Sequence, residues 1–394
     1  MTRIALISTF LTGLLGGIMF PSGDLRAQCT ITNLDPTYCS SDPPVALTGS
    51  PGGLTFYRAG VSTPIASYDP SLVIGADTVV ATSGVATNYT VSTTGTFAPV
   101  PSPAGSTSLS LADNSETGPI SIGFTFNFFG NNYTNVYIGS NAIIGFSPGV
   151  STPLNQTLPD ATAPNNIIAL AWDEITPSPG AIEYFVTGRS PFRKFVVNYD
   201  VYRDSNPLYR VRTQVQLHET TNIIEIHSTN INIPANFPTM GIENATGTTA
   251  FPVPGRNNAS FSVTNDYVGF IPDCVDIRYL TISEAPSAAD AGPAQLEQCN
   301  NGTFVMSANA PAVGTGTWTV TSGTATITNP TSATTTITGV PAGTSAVLRW
   351  TITNGVCTGS FDEIELINYA VPSPAVAGPD QTLCNTGAFT MAAT

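Results

Sequence analysis

From Pro119 to Phe146 the chain reads PISIGFTFNFFGNNYTNVYIGSNAIIGF, its longest unbroken alternation of apolar and polar positions. Ile120, Ile122, Phe124, Phe126 and Phe128 alternate with Ser121, Gly123, Thr125 and Asn127. That period of two sends every second side chain to one buried face. Gly130-Asn131-Asn132 breaks the run, and Val136, Ile138, Ile143 and Phe146 are expected to return to the same core. The stretch therefore predicts a β-hairpin, and no helix holds this spacing.

Further strands are predicted at hairpin spacing over Asn166–Trp172, a doubly buried NIIALAW, and over Ala181–Val186, Lys194–Val201, Tyr209–His218 and Ile223–Ser228. In Tyr209–His218 the residues Val211, Thr213, Val215 and Leu217 face one way. Arg210, Arg212, Gln214, Gln216 and His218 face the other, the pattern of an antiparallel strand with one wet side. The hairpin and these strands make a central domain, 88–283. Before it, 28–86 carries short β-like runs between Pro and Gly turns. After it, 289–370 reads as another β module, and AGPAQLEQCNNGTFVMSA (291–308) recurs as AGPDQTLCNTGAFTMAA (377–393), so 371–394 is expected to open a second copy. The fold class expected is all-β, several antiparallel β-sandwiches in one chain, and the given sequence is expected to be the N-terminal part of a longer one.

Composition supports that class, because charged residues are 10% of 394 while Gly (35) and Pro (32) supply turns. A net charge of −14, with Lys194 the only lysine, argues against nucleic acid, which needs clustered Lys and Arg. Residues 1–27 have the form of a secretory signal: Arg3, an apolar Ile4–Phe20, then a polar stretch ending at Ala27. The apolar part is short and interrupted for a membrane anchor, and a lipoprotein at Cys29 would follow Gln28 where a small residue is expected. No later stretch is apolar enough to cross a bilayer, so the mature chain is expected to use the export machinery and to be secreted or held at the outer cell surface. In an exported chain the six cysteines read as disulfides before metal ligands, and no CxxC occurs. The expected pairs are Cys29–Cys39 and Cys299–Cys357, leaving Cys274 and Cys384 without local partners.

Three resemblances sharpen this outline. The motif order SLADNSETGPISIGFTFNFFGNNYTNVYIGSNAIIGF, IIALAWDEITP, FRKFVVNYDVY, VQLHETTNIIEIH and MGIENATGT resembles the nidogen-like extracellular β-domain. Asn141-Ala142 departs from the family's Asn-Gly and predicts a different local turn, since positive φ is costly without glycine. PTYCSSDPPVALTGSPGG resembles the opening of Ig-like modules of secreted Bacteroidota proteins. TGTWTVTSGTATITNPTSATTTITGVPAGTSAVLRWTITNGVC resembles PKD-like or Ig-like repeats of gliding-associated proteins. This last resemblance implies a core of Trp318, Val320, Ile327, Ile337, Leu348, Trp350 and Ile352, a Cys299–Cys357 bridge beside a tryptophan, and a type IX-like sorting domain beyond Thr394.

Candidate chemistry is sparse. His218 and His227 are the only histidines. A turn at Glu219–Asn222 pairs His218 with Ile223 and sets His227 opposite Gln214, roughly 13 Å along the sheet, so both read as solvated strand residues. Asp173, Glu174, Glu183, Asp200 and Glu243 share one domain, and Asp113, Asn114 and Glu116 form a turn cluster. They admit a paired-carboxylate glycosidase or a calcium site but carry the signature of neither. No cofactor is expected, with calcium the one ion admitted. Asp77-Thr78-Val79 fits a short O-glycosylation pattern. Arg189, Arg193, Lys194, Arg203, Arg210 and Arg212 interleave with Phe192, Tyr199, Tyr202 and Tyr209. The expectation is a non-enzymatic adhesion or display protein contacting an extracellular glycan or protein through a surface centred on Arg193, Tyr202 and Tyr209. The alternative is the non-catalytic part of a secreted hydrolase.

Overall fold

The computed structural model describes residues 29–203, 206, 208–233, 237–382, 384, 387–391 and 393. The leader read over 1–27 lies outside them, as does part of the second repeat copy. The described residues form strands and one 3-10 turn, Pro70–Leu72, with no α-helix. Among them no helix is long and apolar enough to cross a membrane. The protein is all-β.

Contacts divide the chain into two units. One comprises 1–36, 43–69 and 76–281, the other 37–42, 70–75 and 282–394, so the stretch 28–86 is shared between them.

Thirteen strands form the main domain of the first unit: β1 (Tyr89–Ser92), β2 (Thr107–Leu109), β3 (Glu116–Phe128), β4 (Asn131–Gly139), β5 (Ile143–Gly145), β6 (Ile167–Trp172), β7 (Thr176–Thr187), β8 (Lys194–Tyr202), β9 (Arg210–His218), β10 (Ile224–Asn232), β11 (Thr239–Glu243), β12 (Ala250–Pro252) and β13 (Ser262–Pro272). They make two antiparallel sheets, a six-stranded one ordered β3-β4-β5-β6-β11-β12 and a seven-stranded one ordered β1-β13-β10-β9-β8-β7-β2. The alternation of β3 holds from Ile120 to Phe126, with Ile120, Ile122, Phe124 and Phe126 buried and Ser121, Gly123 and Thr125 exposed, but Asn127, expected on the polar side, is buried. Its apolar face shares one core with Val197, Val201, Val211, Val215, Leu217, Ile224, Ile226 and Phe270 of the other sheet. Tyr199 of β8, fully buried, reaches across with its hydroxyl 3.0 Å from the Gly139 carbonyl and 3.1 Å from that of Ile143. Ile143 itself points away from this core. It joins Val150, Leu158, Ile167, Ala169 and Trp172 in a second cluster on the far side of the six-stranded sheet, which is why β6 is buried on both faces. Ala142 takes the left-handed conformation, φ 54°, that a glycine would take. The alanine thus carries a positive φ without glycine, at a steric cost of roughly 1–2 kcal/mol.

In the same unit Thr55–Arg58 pairs with Gly75–Thr82. Arg58 Nε meets Asp77 Oδ2 at 2.6 Å, both side chains buried. Asp77 and Thr78 are therefore inside the fold, not displayed as a glycosylation acceptor.

The second unit contains β14 (Gln295–Cys299), β15 (Phe304–Val305), β16 (Thr315–Ser322), β17 (Thr326–Ile327), β18 (Thr336–Thr338), β19 (Thr344–Thr353) and β20 (Ser360–Tyr369). A four-stranded sheet, β14-β20-β19-β16, faces a three-stranded one, β15-β18-β17. Trp318 and Trp350 pack 5.2 Å apart in a core with Ile337, Leu348, Ile352, Ile364 and Leu366. Val320, expected there, is 36% exposed although it lies opposite Leu348.

The cysteine pairs differ from those expected. Cys29 bonds Cys274 and Cys39 bonds Cys357, with Cα–Cα distances of 4.8 and 4.9 Å, and Cys299 and Cys384 are free and exposed. Cys29 finds Cys274 because the segment after it runs beside Val275–Ser283: the Ile31 amide donates to Asp276 Oδ2 and the Thr281 amide to the Pro36 carbonyl. Cys299 cannot reach Cys357, since β14 lies parallel to β20 with Cys299 opposite Tyr369. Cys357 precedes the other end of that strand, ~30 Å away, whereas a disulfide needs Cα atoms within about 7 Å.

Two measurements check this architecture. Non-reducing peptide mapping should recover Cys29–Cys274 and Cys39–Cys357 and label Cys299 and Cys384 as thiols; a Cys299–Cys357 peptide would contradict the strand order of the second unit. Tyr199→Phe should lower stability by about 1–2 kcal/mol, read as a shifted urea midpoint at unchanged slope, because it strands carbonyls on the opposite sheet.

Candidate functional site

The polar face of the seven-stranded sheet is where the sequence concentrates chemistry, and half of it is covered. Gln214 lies opposite His227 and His218 hydrogen-bonds to Ile223, the expected register. Yet Gln214, Gln216, His218, Glu225 and His227 are all buried. The cover is the Pro-rich connection between β1 and β2, read from sequence as an entry segment. Its Ala98 amide donates to His227 Nδ1 (3.2 Å), its Val100 amide to Gln214 Oε1 (2.8 Å), and the Val100 carbonyl accepts from Gln214 Nε2 (2.9 Å). A Cβ on Gly95 would fall 2.1 Å from the Tyr267 ring, so only glycine lets the connection lie this close. Further along, Ser102 and Ser106 donate to Glu183, which also accepts from Asn198 Nδ2 at 3.0 Å.

Beneath this strap the two histidines converge on one carboxylate. His218 Nε2 is 2.7 Å from Glu225 Oε2 and His227 Nε2 is 3.6 Å from the same oxygen. With Nδ1 of His227 accepting from Ala98, its neutral ring carries the proton on Nε2, facing Glu225. Lys194 Nζ stands 3.5 Å from Glu225 and donates to Gln216 Oε1 at 2.8 Å. Burial alone would push the Glu225 carboxyl up, but His218, His227 and Lys194 together hold it well below the usual carboxylate range. Burial, reinforced by Lys194, pushes the His218 ring down and keeps it neutral. The two histidines are therefore not solvated strand residues. His218 is hydrogen-bonded to a buried carboxylate, and His227 stands 3.6 Å from the same oxygen.

The structure places Tyr202 and Tyr209 together at one end of the sheet and leaves Arg193 at the other. Arg193 precedes β8 and Tyr202 ends it, so about nine residues, roughly 30 Å, separate them. Arg193 is held by Glu219 through Nε (2.8 Å) and Nη2 (2.6 Å), and its guanidinium lies over the Phe124 ring. Tyr209 packs against the main core. Tyr202 lies beneath the Arg210 guanidinium, 5.4 Å away, and both Arg210 and Arg212 pair with Asp200, at 2.6 and 3.1 Å. What remains open on this face is the Tyr202 end, with the Arg212 side chain 46% exposed.

The other candidate acids are spread apart. Glu116 accepts from the Gly149 amide at 2.9 Å, and Asn114 bridges Asn141 and Glu174, so the turn cluster ties loops together. Glu183 and Asp200 sit on the seven-stranded sheet and Glu243 on the six-stranded one; no carboxylate pair across a cleft is formed among them. Glu243 is fully buried, and burial, with Asp160 nearby, pushes its carboxyl up to about 7. Glu225, Tyr267 and the strap were missed in the sequence. The only signal was that Phe97 and Val100 stand as apolar positions inside a Pro-rich run.

Comparison with known proteins agrees with this β-domain. Residues 88–270 match the family model of NIDO-related domains. No curated protein matches the chain. Among solved structures, the chain is similar to the PKD domain from the KIAA 1837 protein (21% identity over 22% of this chain and 92% of that one, TM-score 0.20). Others are the insect immune protein hemolin (11% identity, 87% and 100% covered, TM-score 0.16) and a protocadherin gammaB7 EC3-6 cis-dimer (11% identity, 85% and 71% covered, TM-score 0.17).

The sealed network sets a pH response. An unfolded histidine titrates near 6.5, and His218 in the fold titrates lower. Between those values only the unfolded chain binds the proton, so stability falls as pH drops through that window. Glu225 adds further loss below about 4.3, the unfolded glutamate value. Glu243 acts oppositely, since its raised pKa lets the native state take up a proton first, but it titrates equally in both proteins compared. Thermal melts should therefore show wild type losing more stability than His218→Gln between pH 6.5 and 5, and parallel curves would mean that the ring is not sealed.

Proposed function

We propose that the chain is an exported, non-enzymatic adhesion or display protein, with the 88–283 domain offering the binding surface and the 289–370 module serving as a spacer. The observation that carries this reading is the sealing of His218, His227, Glu225 and Lys194 beneath the strap. The residues most suited to acid–base work are committed to holding the sheet, and both histidines of the chain are among them. Two disulfides closing loops of 245 and 318 residues fit an oxidising compartment, and the NIDO-related match is consistent with an extracellular β-domain. Type IX export from a Bacteroidota-type bacterium belongs to the same reading and rests on the resemblances of sequence alone.

The contact is assigned to the Tyr202 end of the seven-stranded sheet, where Tyr202, Arg212 and their neighbours offer aromatic and guanidinium groups of the kind that dominate interface energy. The occupant is an extracellular glycan or protein. Beads coated with the full chain should lose attachment to glycan- or matrix-coated surfaces when Tyr202 and Arg212 are both replaced by alanine, with little change in melting temperature. Arg193→Ala should instead lower the melting temperature and spare attachment, because Arg193 braces Glu219. Full attachment by the Tyr202/Arg212 variant would move the binding site elsewhere, and hydrolytic activity of the purified chain on such a surface would overturn the non-enzymatic reading.

A further inference from the structure

Lys194 is the only lysine of the sequence, which otherwise carries its positive charge on arginine. It opens β8 on the strapped face of the seven-stranded sheet, with its side chain 13% exposed. A guanidinium at that place would be a permanent cation. An ammonium can lose its proton and become a nucleophile, and burial pushes Lys194 toward that neutral amine against the pull of Glu225. A hydrogen bond alone would need only a neutral donor, which escapes the cost of burying a charge.

What the amine faces is a carboxamide. Lys194 Nζ stands 2.8 Å from Gln216 Oε1, and with a C=O bond of about 1.23 Å the amide carbon lies no more than about 4 Å from Nζ. Gln216 is fully buried. Its orientation is fixed from the other side, where Nε2 donates to Gln214 Oε1 at 2.6 Å and lies 3.5 Å from the Ala98 carbonyl. The oxygen, not the nitrogen, therefore turns to the ammonium. Glu225 stands directly opposite Gln216 in the β9–β10 ladder, and its Oε2 is 3.5 Å from Nζ. An amine, an amide carbon and a carboxylate thus meet at one buried place on three neighbouring strands, the arrangement in which fixed proximity replaces a chance encounter.

We propose that Lys194 and Gln216 join in an isopeptide bond, formed by the folded chain on itself with Glu225 as the proton carrier. Glu225 takes one proton from the Lys194 ammonium, which leaves a neutral amine and a neutral acid. Nζ then adds to Cδ of Gln216. Glu225 gives its proton to Nε2 and takes another from Nζ, the Cδ–Nε2 bond breaks, and ammonia leaves. The first transfer runs uphill while the ion pair is intact, and the departure of ammonia makes the sequence irreversible. A buried ion pair is replaced by an amide and a neutral carboxyl, so two charges no longer have to be held away from water. Lys194 begins β8 and Gln216 lies near the end of β9; the bond closes that hairpin at its open ends and carries a pulling load past it. No external substrate is turned over, so the adhesion reading stands or falls separately.

The test digests the full chain, purified, reduced and denatured, with endoproteinase Lys-C, which cuts an unlinked chain once, after Lys194. The linked chain should stay whole. Trypsin should release a branched peptide joining the Lys194 and Gln216 segments, lighter by one ammonia than their sum. The peptide is needed beside the intact mass, because an N-terminal glutamine such as Gln28 cyclises with the same loss. Gln216→Met and Glu225→Gln should both be cut by Lys-C. Wild type cut to completion would overturn the proposal, and so would resistance that persists in Gln216→Met, since the amine would then be blocked by another group. A Glu225→Gln chain that still links would overturn the role given to that carboxylate. Should either variant fail to fold, the wild-type digest and the branched peptide decide the matter.

Discussion

The first unit depends on one interface, the apolar contact between β3 and its neighbours and the inner face of the seven-stranded sheet. Because the side-chain period of a strand is two, the choice of Ile122, Phe124 and Phe126 as inward residues fixes the register of the whole hairpin. A slip of one residue would send Ser121, Gly123 and Thr125 into the core. Phe126 stacks on Phe146 with ring centroids 5.7 Å apart, and Phe128 meets Phe146 at 4.4 Å, so the two ends of the founding stretch close on each other. Tyr199 then adds a direction-specific tie across that core, a phenol aimed at the carbonyls on either side of the Ser140–Ala142 turn, and the Asn127 amide adds another to Asn222 Oδ1 at 2.9 Å. Dispersion and burial supply the energy here, and the phenol supplies the alignment.

The opposite face of the same sheet answers a different constraint. A carboxylate taken out of water is costly unless charge and hydrogen bonds replace its hydration, and Glu225 obtains both from side chains on its own strand and on the next two. Lys194 comes from β8, His218 from β9, and His227 lies two residues along β10 itself. Once Lys194 and the two rings are committed to Glu225, their remaining polar atoms need partners, and the Ala98 amide and the Gln214–Gln216 amides provide them. The strap is thus part of the charge compensation. It does not gate a site, because removing it would expose hydrogen-bonding groups whose partners are main-chain atoms of the strap.

How much of this is legible in sequence follows from the range of each interaction. The alternation of β3, the doubly buried β6, the register of β9 against β10 and the inward set Val211, Val215 and Leu217 are local patterns and can be read directly. The burial of Gln214, Gln216 and His218 cannot, because alternation reports which residues share a face and says nothing about what lies over it. Ile143 shows the same limit from the other side: an apolar residue in an alternating run was assigned to the one core in view, while the structure has a second cluster behind the sheet. The left-handed Ala142 is also beyond a local reading, for an energetic reason. A cost of roughly 1–2 kcal/mol for a left-handed alanine is small beside the burial that holds the turn in place, so tertiary packing prevails over local preference.

The cysteines extend that lesson to topology. Cys29 and Cys274 are 245 residues apart, and between them lies the entire two-sheet domain, whose first and last strands, β1 and β13, are themselves paired. The domain is therefore an insertion whose ends return to one place, and the segment after Cys29 finds its partner in Val275–Ser283 only because that return has occurred. Loop-closure entropy grows only logarithmically with length, so a long insertion costs little more than a short one provided that it folds first and brings its own ends together. Pairing cysteines by proximity in sequence assumes the reverse, that nearby residues meet before distant ones. In a chain whose intervening domain closes on itself, the distant pair is the near one in space.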